Sequence, residues 1–346
     1  MANIMLTDAC NLRCPYCFAN EFVNKDRNEI TEENFDKAVA FILGDGTRSS
    51  LGLIGGEPTT HPMFEQFLRK LILNEKAKSI VVYTNGICLD RFFDLLAHPK
   101  VHLLINCNSP TDIGENPFRI MCDNIDALLD KRLCKDRVTL GINMYKPDFE
   151  YGYILDLLKK YKLPKVRVSI TVPNMDDNRN TDAHAYFLKM KPRVYEFFHE
   201  LMKNRIVPSF DCNKLPSCLV TTEELQSFRP YYKDPELREW LLKSNISKQR
   251  VACQPVIDIR QDLTAVRCFG LSQYTKQSIT DFKSIGELTA FYANSIDVFA
   301  FNTAYSAKCQ DCSSRKTMQC MGGCLAFKIS DILKVRKFAE AQMTEK

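Results

Sequence analysis

The chain has 346 residues, 45% of them apolar and 26% charged, with a net charge of +5. That is globular composition, long enough for one large domain or two and too weakly basic for a dedicated nucleic-acid binder. The 15 cysteines are too sparse for a disulfide scaffold and odd in number, and the chain lacks both a signal-peptide pattern and an apolar run of about 18 residues, so a cytoplasmic protein that spans no membrane is expected.

Taken in chain order, strands are expected at 3–7, 51–55, 79–84, 101–106, 137–144 and 165–172. Amphipathic helices fall between them. Thr31–Leu43 carries Phe35, Val39 and Ile42 on one face, Pro62–Leu73 carries Phe64, Phe67, Leu68 and Leu71, Pro117–Leu129 carries Ile120, Ile125 and Leu128, and Tyr153–Tyr161 carries Ile154, Leu157 and Leu158. Six strand–helix alternations argue for a parallel α/β sheet, fewer than the eight pairs of a closed barrel. In the later strands one face is apolar and the other polar. Val101, Leu103, Ile105 and Cys107 oppose His102, Leu104, Asn106 and Asn108; Val138, Leu140, Ile142 and Met144 oppose Thr139, Gly141, Asn143 and Tyr145; Val166, Val168, Ile170 and Val172 oppose Arg167, Ser169 and Thr171. This fits a curved sheet with helices outside and a polar, ligand-holding concavity, or else a sheet with one solvated face. Beyond about 205 the pattern breaks into helical stretches at 234–244, 284–292 and 323–342 separated by cysteine-bearing segments. A boundary near Val207–Phe210 would divide the chain into 1–208 and 209–346, and no internal repeat is found.

The segment Cys10-Asn11-Leu12-Arg13-Cys14-Pro15-Tyr16-Cys17 follows the first strand directly. Three thiolates can hold three corners of a cubane cluster and leave the fourth iron open for chemistry. A single zinc ion, which normally takes four ligands, is the alternative. The pattern C-x3-C-x-aromatic-C (Cys10, Cys14, Tyr16, Cys17) resembles the signature of radical S-adenosylmethionine enzymes. Gly55-Gly56-Glu57-Pro58, ending the second strand, resembles that family's GGEP motif, which binds the methionyl amino group. The resemblance implies a partial (β/α)6 TIM-like barrel. It also implies S-adenosylmethionine chelated by a [4Fe–4S] cluster and cleaved by one electron to a 5′-deoxyadenosyl radical, which takes a substrate hydrogen. Tyr16 would then lie near adenine, Asn106, Asn108 and Ser109 near the ribose, and Asn143 and Arg167 within the lumen, Arg167 facing the methionyl carboxylate. Polar packing or substrate contact is an equal reading for these five.

Eight late cysteines follow: Cys212, Cys218, Cys253, Cys268, Cys309, Cys312, Cys320 and Cys324. The last four form C-x2-C-x7-C-x3-C, which alone suits zinc or iron. Beside the first motif they resemble the SPASM/Twitch extensions that carry auxiliary [4Fe–4S] clusters, in a small cysteine-rich α+β domain. Leu263 stands where that pattern has Gly, the middle spacing is seven rather than five, and no cysteine follows Cys324. By analogy Cys253, Cys268 and Cys324 share one cluster and Cys309, Cys312 and Cys320 another, with Cys212 and Cys218 completing them; a single cluster is the other possibility. Cys88, Cys107, Cys122 and Cys134 read as buried small hydrophobes, Trp240 as packing, and His61, His98, His102, His184 and His199 form no metal pattern.

The resemblance implies a radical enzyme, foremost a maturase that oxidises or cross-links a ribosomally made peptide or protein. The alternatives are a radical enzyme of a small molecule and a non-catalytic iron–sulfur redox protein. An electron donor such as flavodoxin or ferredoxin is implied. The barrel starts at residue 3, which leaves no room for an N-terminal leader-binding domain, so recognition is expected of the barrel mouth, the auxiliary domain or a separate leader-peptide-binding protein. Thr139, Tyr145, Ser169 and Thr171 are the exposed lumen candidates for substrate.

Overall fold

The structure is a computed structural model. It describes residues 2–17, 19–20, 22–131, 135–171, 182–210, 215–243, 251–253, 256–271, 275–298, 307–318 and 320–328. Cys134, Cys212 and the stretch 329–342 of the last expected helix lie outside the described residues, as does the side chain of Trp240.

β1 (Ala2–Met5) lies against β2 (Ser50–Ile54) in parallel register, Ile4 opposite Leu53. Between them runs α1 (Glu32–Leu43). Thr31, expected as its first residue, is instead its cap: its hydroxyl accepts the Asn34 N–H, and Glu32 and Glu33 occupy the positive end of the helix dipole. α2 (Phe64–Leu73) buries Phe64, Phe67, Leu68 and Leu71, and Phe67 stacks on Phe35 of α1 with ring centroids 4.1 Å apart. The alternation continues through β3 (Ser79–Thr84), α3 (Phe93–Leu96), β4 (Val101–Asn106), α4 (Pro110–Ile113), α5 (Glu115–Asp126), β5 (Val138–Met144), α6 (Gly152–Lys160) and β6 (Lys165–Ile170). β1 to β5 pair in parallel in chain order and β6 follows β5. All six expected strands are present, and the two-residue periodicity holds. On β4, Val101, Leu103 and Ile105 are buried while His102, Leu104 and Asn106 are half-buried.

Past residue 205 the structure departs from the expectation. β9 (Ile257–Ile259) pairs in parallel with β1, and β10 (Thr264–Val266) and β11 (Gln277–Ser278) continue antiparallel from it, so β1 is an interior strand. The sheet is open, running β11-β10-β9-β1-β2-β3-β4-β5-β6, with β11 at one edge. The chain therefore does not divide at a single point near 208. One compact unit comprises Met1–Asn143, Glu150–Arg167 and Val256–Ala290; the other comprises Met144–Phe149, Val168–Pro255 and Phe291–Lys346. A three-residue strand centred on an aspartate is too short and too polar for periodicity to reveal.

In the second unit the end of β6 lies beside β7 (Val207–Phe210). α7 (Ala183–Lys203) is capped by the Asp182 carboxylate on the Ala185 N–H. Met202, Val207 and Leu237 form a small core with Phe228 and Tyr231. β8 (Val251–Ala252) pairs in parallel with β12 (Cys320–Gly323). The expected helix at 323–342 is a correction where described: Gly323 ends a strand, and Leu325–Lys328 makes one 3₁₀ turn. No helix among the described residues is long and apolar enough to cross a membrane.

Candidate active site

The first cysteine loop is pinched at its neck by Asp8. The Asp8 N–H donates to the Asn28 carbonyl at 2.9 Å, and the Asn24 N–H donates to the Asp8 carbonyl at 2.8 Å. The Cys10 N–H in turn donates to Asn24 Oδ1 at 2.9 Å. Asn24 takes φ +60, a left-handed conformation that asparagine tolerates. The buried Asp8 carboxylate accepts from Asn28 Nδ2 and from Gln261 Nε2, both at 2.9 Å. Inside the loop the Cys17 N–H donates to the Cys14 carbonyl, 3.2 Å away.

Burial pushes the Cys10 thiol up to about 11 and the Cys14 thiol up to about 12, and raises Cys17 as well. The sulfurs also act on one another: Cys10 and Cys17 both raise Cys14, and Cys17 raises Cys10. Such a set stays protonated until a cation arrives, and iron supplies that charge. Among the described residues no three metal-binding side chains converge on one point as a single ion requires. A cubane instead takes each thiolate on a separate iron, so the donor set fits it.

The Gly55–Pro58 turn packs backbone to backbone against the start of this loop. The Gly56 N–H donates to the Thr7 carbonyl and the Glu57 N–H to the Ala9 carbonyl, each at 2.8 Å. A Cβ on Gly55 would stand 2.7 Å from the Thr7 oxygen, and one on Gly56 2.4 Å from the Ala9 oxygen. The glycines are thus required by the neighbouring chain itself. Glu57 points inward and is buried. Its Oε1 accepts from Thr59 Oγ1 at 2.6 Å, the Thr59 N–H at 3.2 Å and Thr84 Oγ1 at 2.8 Å, while Oε2 accepts the Asn85 N–H at 2.7 Å. Burial lifts this carboxyl above the usual range against the pull of those bonds. Only Oε2 keeps capacity for a further donor, so the outer face of the turn is mainly peptide carbonyl. Glu57→Gln puts an NH2 where donors already point, and the protein should lose about 1–3 kcal/mol of stability. A thermal melt unchanged from wild type would count against this.

A polar chain crosses the sheet face. The Tyr16 hydroxyl hydrogen-bonds with Asn143 and Cys14. Arg167 Nη1 donates to Asn143 Oδ1 at 2.6 Å and reaches Asn106 Oδ1 at 3.5 Å. Gly141 clears space for that arginine, whose Cδ lies 3.1 Å from where a Cβ would stand. The structure therefore links Cys14, Tyr16, Asn143, Arg167 and Asn106. Asn108 is buried, and its Oδ1 accepts no bond among the described residues, which suits a donor such as a ribose hydroxyl. Ser109 acts locally, capping α4 by accepting the Asp112 N–H and hydrogen-bonding with Thr111 Oγ1.

The sequence reading missed Thr59, Thr84, Asn85 and Asn11. Asn85 Nδ2 donates to Asn11 Oδ1 at 2.7 Å, tying the end of β3 to the cysteine loop. The usable signal was Thr84-Asn85-Gly86 at a strand's C-terminal end, where α/β sheets hold their sites. Cys88 also differs from its reading as core: it is half-buried, and Asn11 Nδ2 donates to its sulfur at 3.4 Å. Cys122 is half-buried too, whereas Cys107 is buried as expected.

Of the late cysteines, Cys268 belongs to the first unit and is half-buried. In the second unit, Cys324 and Cys253 directly follow the paired residues Gly323 and Ala252. Cys218 lies within electrostatic reach of Cys309, Cys320 and Cys312. No disulfide joins the described cysteines.

An open parallel sheet with three thiols on the loop after its first strand and a glycine-rich turn after its second defines a class, and the radical SAM superfamily profile matches residues 4–146. The chain carries a radical SAM domain. The GTP 3′,8-cyclase of Chlorobaculum tepidum is 27% identical over 144 residues, 40% of this chain and 43% of that protein. That of Alkaliphilus oremlandii is 35% identical over 117 residues, 32% of this chain and 36% of that protein. The chain thus spans well under half the length of these relatives. Among solved structures, Streptococcus suis SuiB bound to S-adenosylmethionine is similar with a TM-score of 0.58 at 17% identity, covering 95% of this chain and 73% of that one. Native anSMEcpe with bound AdoMet and Cp18Cys peptide gives 0.65 at 16% identity, covering 94% and 89%. These likenesses establish the fold, an open partial barrel.

Proposed function

We propose that the protein is a radical SAM enzyme that cleaves S-adenosylmethionine reductively and abstracts a hydrogen from a peptide or protein, leaving an oxidised or cross-linked side chain. The observation that carries the reading is the backbone clasp between Thr7–Ala9 and Gly56–Glu57, which joins the three-thiol loop to the turn suited to an amino group. When bound, the cluster and S-adenosylmethionine supply the electron and the 5′-deoxyadenosyl radical. Cys10, Cys14 and Cys17 hold the cluster. The peptide carbonyls of Gly55 and Gly56, with Glu57 Oε2, receive the methionyl ammonium. Pro58 fixes the turn's exit as the first residue of a 3₁₀ turn. Asn108 takes a ribose hydroxyl, Tyr16 borders the adenine, and Arg167, steadied by Asn143 and Asn106, faces the methionyl carboxylate.

A peptide substrate is supported by how far the likenesses extend. The similarity to SuiB and anSMEcpe runs through the cysteine-rich region. Cys212, Cys218, Cys253, Cys268, Cys309, Cys312, Cys320 and Cys324 would hold two closed auxiliary [4Fe–4S] clusters there, able to take an electron from a substrate radical. A flavodoxin or ferredoxin would supply the first electron, and a separate protein would present the leader. The second reading, a small-molecule substrate, is favoured by the cyclase relatives.

Anaerobic incubation of the reconstituted protein with dithionite and S-adenosylmethionine should yield 5′-deoxyadenosine, and the Cys10→Ala/Cys14→Ala/Cys17→Ala variant none. No product with any peptide or nucleotide candidate would sink the enzyme reading. Turnover stimulated by GTP and not by peptides would select the second.

A further inference from the structure

The residues matched by the radical SAM profile end at 146, yet the loop of Cys10, Cys14 and Cys17 is held by a turn more than a hundred residues further on. β1 and β9 are parallel neighbours, so the chain leaves both at the carboxyl end of the sheet, where α/β sheets hold their ligands. β1 runs out into the cysteine loop, and β9 into the turn at 260–263 that leads back as β10. In that turn the Arg260 N–H donates to the Thr264 carbonyl at 2.8 Å and the Leu263 N–H to the Arg260 carbonyl at 3.0 Å. Leu263 takes φ +64, the left-handed region that favours glycine, and its side chain is buried. From α1, Asn34 Nδ2 donates to the Gln261 carbonyl at 2.9 Å. The turn is thus fixed independently of the loop it meets.

Three side chains of this segment grip the cysteine loop. At the neck, Gln261 Nε2 donates to Asp8 Oδ1 at 2.9 Å, and both residues are buried. Further along the loop, the Arg260 guanidinium lies 4.2 Å from the centre of the Phe22 ring. Phe269, three residues past β10, has its ring centroid 6.2 Å from that of Phe22 and packs with Met5, Ala19 and Ile54, against which Cys17 also rests. The bond at the neck has the most direct line to the cluster ligands. Asp8 Oδ2 accepts from Asn28 Nδ2 and Oδ1 from Gln261 Nε2, one amide to each oxygen. The Asp8 carbonyl accepts the Asn24 N–H, and Asn24 Oδ1 accepts the Cys10 N–H. A shift of Asp8 is therefore passed to Cys10 through two hydrogen bonds.

We propose that Gln261 is a positioning residue of the S-adenosylmethionine site: by holding Asp8 it sets the neck of the cysteine loop, so that the site is completed by the segment 256–271. The inference rests on the reading above that Cys10, Cys14 and Cys17 hold the cluster. S-adenosylmethionine must reach the open iron and the Gly55–Glu57 turn together, so a displaced neck weakens its binding before it unfolds anything. Glutamine suits the position because its amide donates to a buried carboxylate without adding a charge. Gln261→Glu would set two carboxylates against each other. Adding Asp8→Asn returns the bond with its roles exchanged, the new amide donating to the new carboxylate and its oxygen left for Asn28 Nδ2.

The test uses the full chain, reconstituted anaerobically with iron and sulfide and reduced with dithionite. Electron paramagnetic resonance is recorded as S-adenosylmethionine is added, because only a cluster with an open iron changes its signal on binding. Wild type should respond, and the Cys10→Ala/Cys14→Ala/Cys17→Ala variant should not. No response in wild type would overturn the cluster reading, and this inference with it. Gln261→Met should keep its iron and its far-ultraviolet circular dichroism while the concentration for half response rises about tenfold, the worth of one hydrogen bond to a charged group. Gln261→Glu should raise it by about a hundredfold or abolish the response. Adding Asp8→Asn to Gln261→Glu should bring the half response most of the way back. If Gln261→Glu fails to fold, Gln261→Met and the double variant carry the test. A wild-type half response in Gln261→Met, even with a lowered melt, would show that the bond serves stability alone and overturn the assignment. So would a double variant no better than Gln261→Glu.

Discussion

Gly56→Ala should leave the protein unable to assemble its first cluster while sparing the auxiliary iron. An added Cβ would stand 2.4 Å from the Ala9 oxygen, 2.7 Å from the Ala9 carbonyl carbon and 2.8 Å from the Asp8 oxygen. All three are backbone atoms, so no side chain can swing aside. The clash falls on the strand of chain that presents Cys10, whose N–H is bound to Asn24 and whose neck is held by Asp8. Relief requires breaking the clasp between the Glu57 N–H and the Ala9 carbonyl. A displacement of about 1 Å at a reacting centre costs on the order of a hundredfold in rate. Iron should fall by about four atoms per chain and 5′-deoxyadenosine formation by at least that factor. Gly152→Ala is the control, because a Cβ there meets nothing within 4 Å and begins a helix. Full iron and wild-type turnover in Gly56→Ala would show that the clasp does not govern the site.

What could be read beforehand was what is local in the chain. Three cysteines within eight residues, a glycine pair at a strand end and the two- and 3.6-residue periodicities all lie inside short windows, and the corresponding loop, turn and six strands are present. The supports of the site are remote. Gln261 holds Asp8 across 253 residues, Asp258 meets Asn3 across 255, and Thr84 and Asn85 reach Glu57 from the next strand. No window contains such pairs, and β9 escaped for the same reason, since pairing to β1 defines it. Ser109 shows the opposite failure: Ser109-x-x-Asp112 has the spacing of a helix cap, the structure uses it so, and the sequence reading weighed a ligand contact and polar packing but not a cap.

The resemblance carried the chemistry further than periodicity could, and the structure alters what its motif means. Gly55, Gly56 and Glu57 are engaged mainly with their own protein, the glycines with Thr7–Ala9 and the carboxylate with Thr59, Thr84 and Asn85. The motif thus places one loop against another, and the ligand meets the surface that remains.

Asp258→Asn should stabilise the protein more at pH 8 than at pH 5. Asp258 is buried on β9, opposite Asn3 of β1, whose Nδ2 donates to its Oδ1 at 2.7 Å. Burial raises this carboxyl to about 7, against the hydrogen bond from Asn3 and the charge of Arg267, which lower it. Asn3 Oδ1 accepts no bond among the described residues, and Gly52 makes room for it: a Cβ there would stand 2.1 Å away. A protonated Asp258 keeps the bond from Nδ2 with no charge to bury, whereas an ionised one buries its charge. The folded carboxyl titrates near 7 and the unfolded one near 3.8, so between those values the folded chain binds more protons and stability falls as pH rises. The loss is complete above about 7 and amounts to at most roughly 4 kcal/mol. Asparagine carries both the donor and the acceptor of the protonated acid and has no charge to bury, so its curve should stay flat across this range. Denaturant melts of the metal-free protein should show the variant's advantage over wild type growing from pH 5 to pH 8. An equal gap at both pH values, or a weaker variant at pH 8, would mean that Arg267 keeps the carboxylate ionised in the fold.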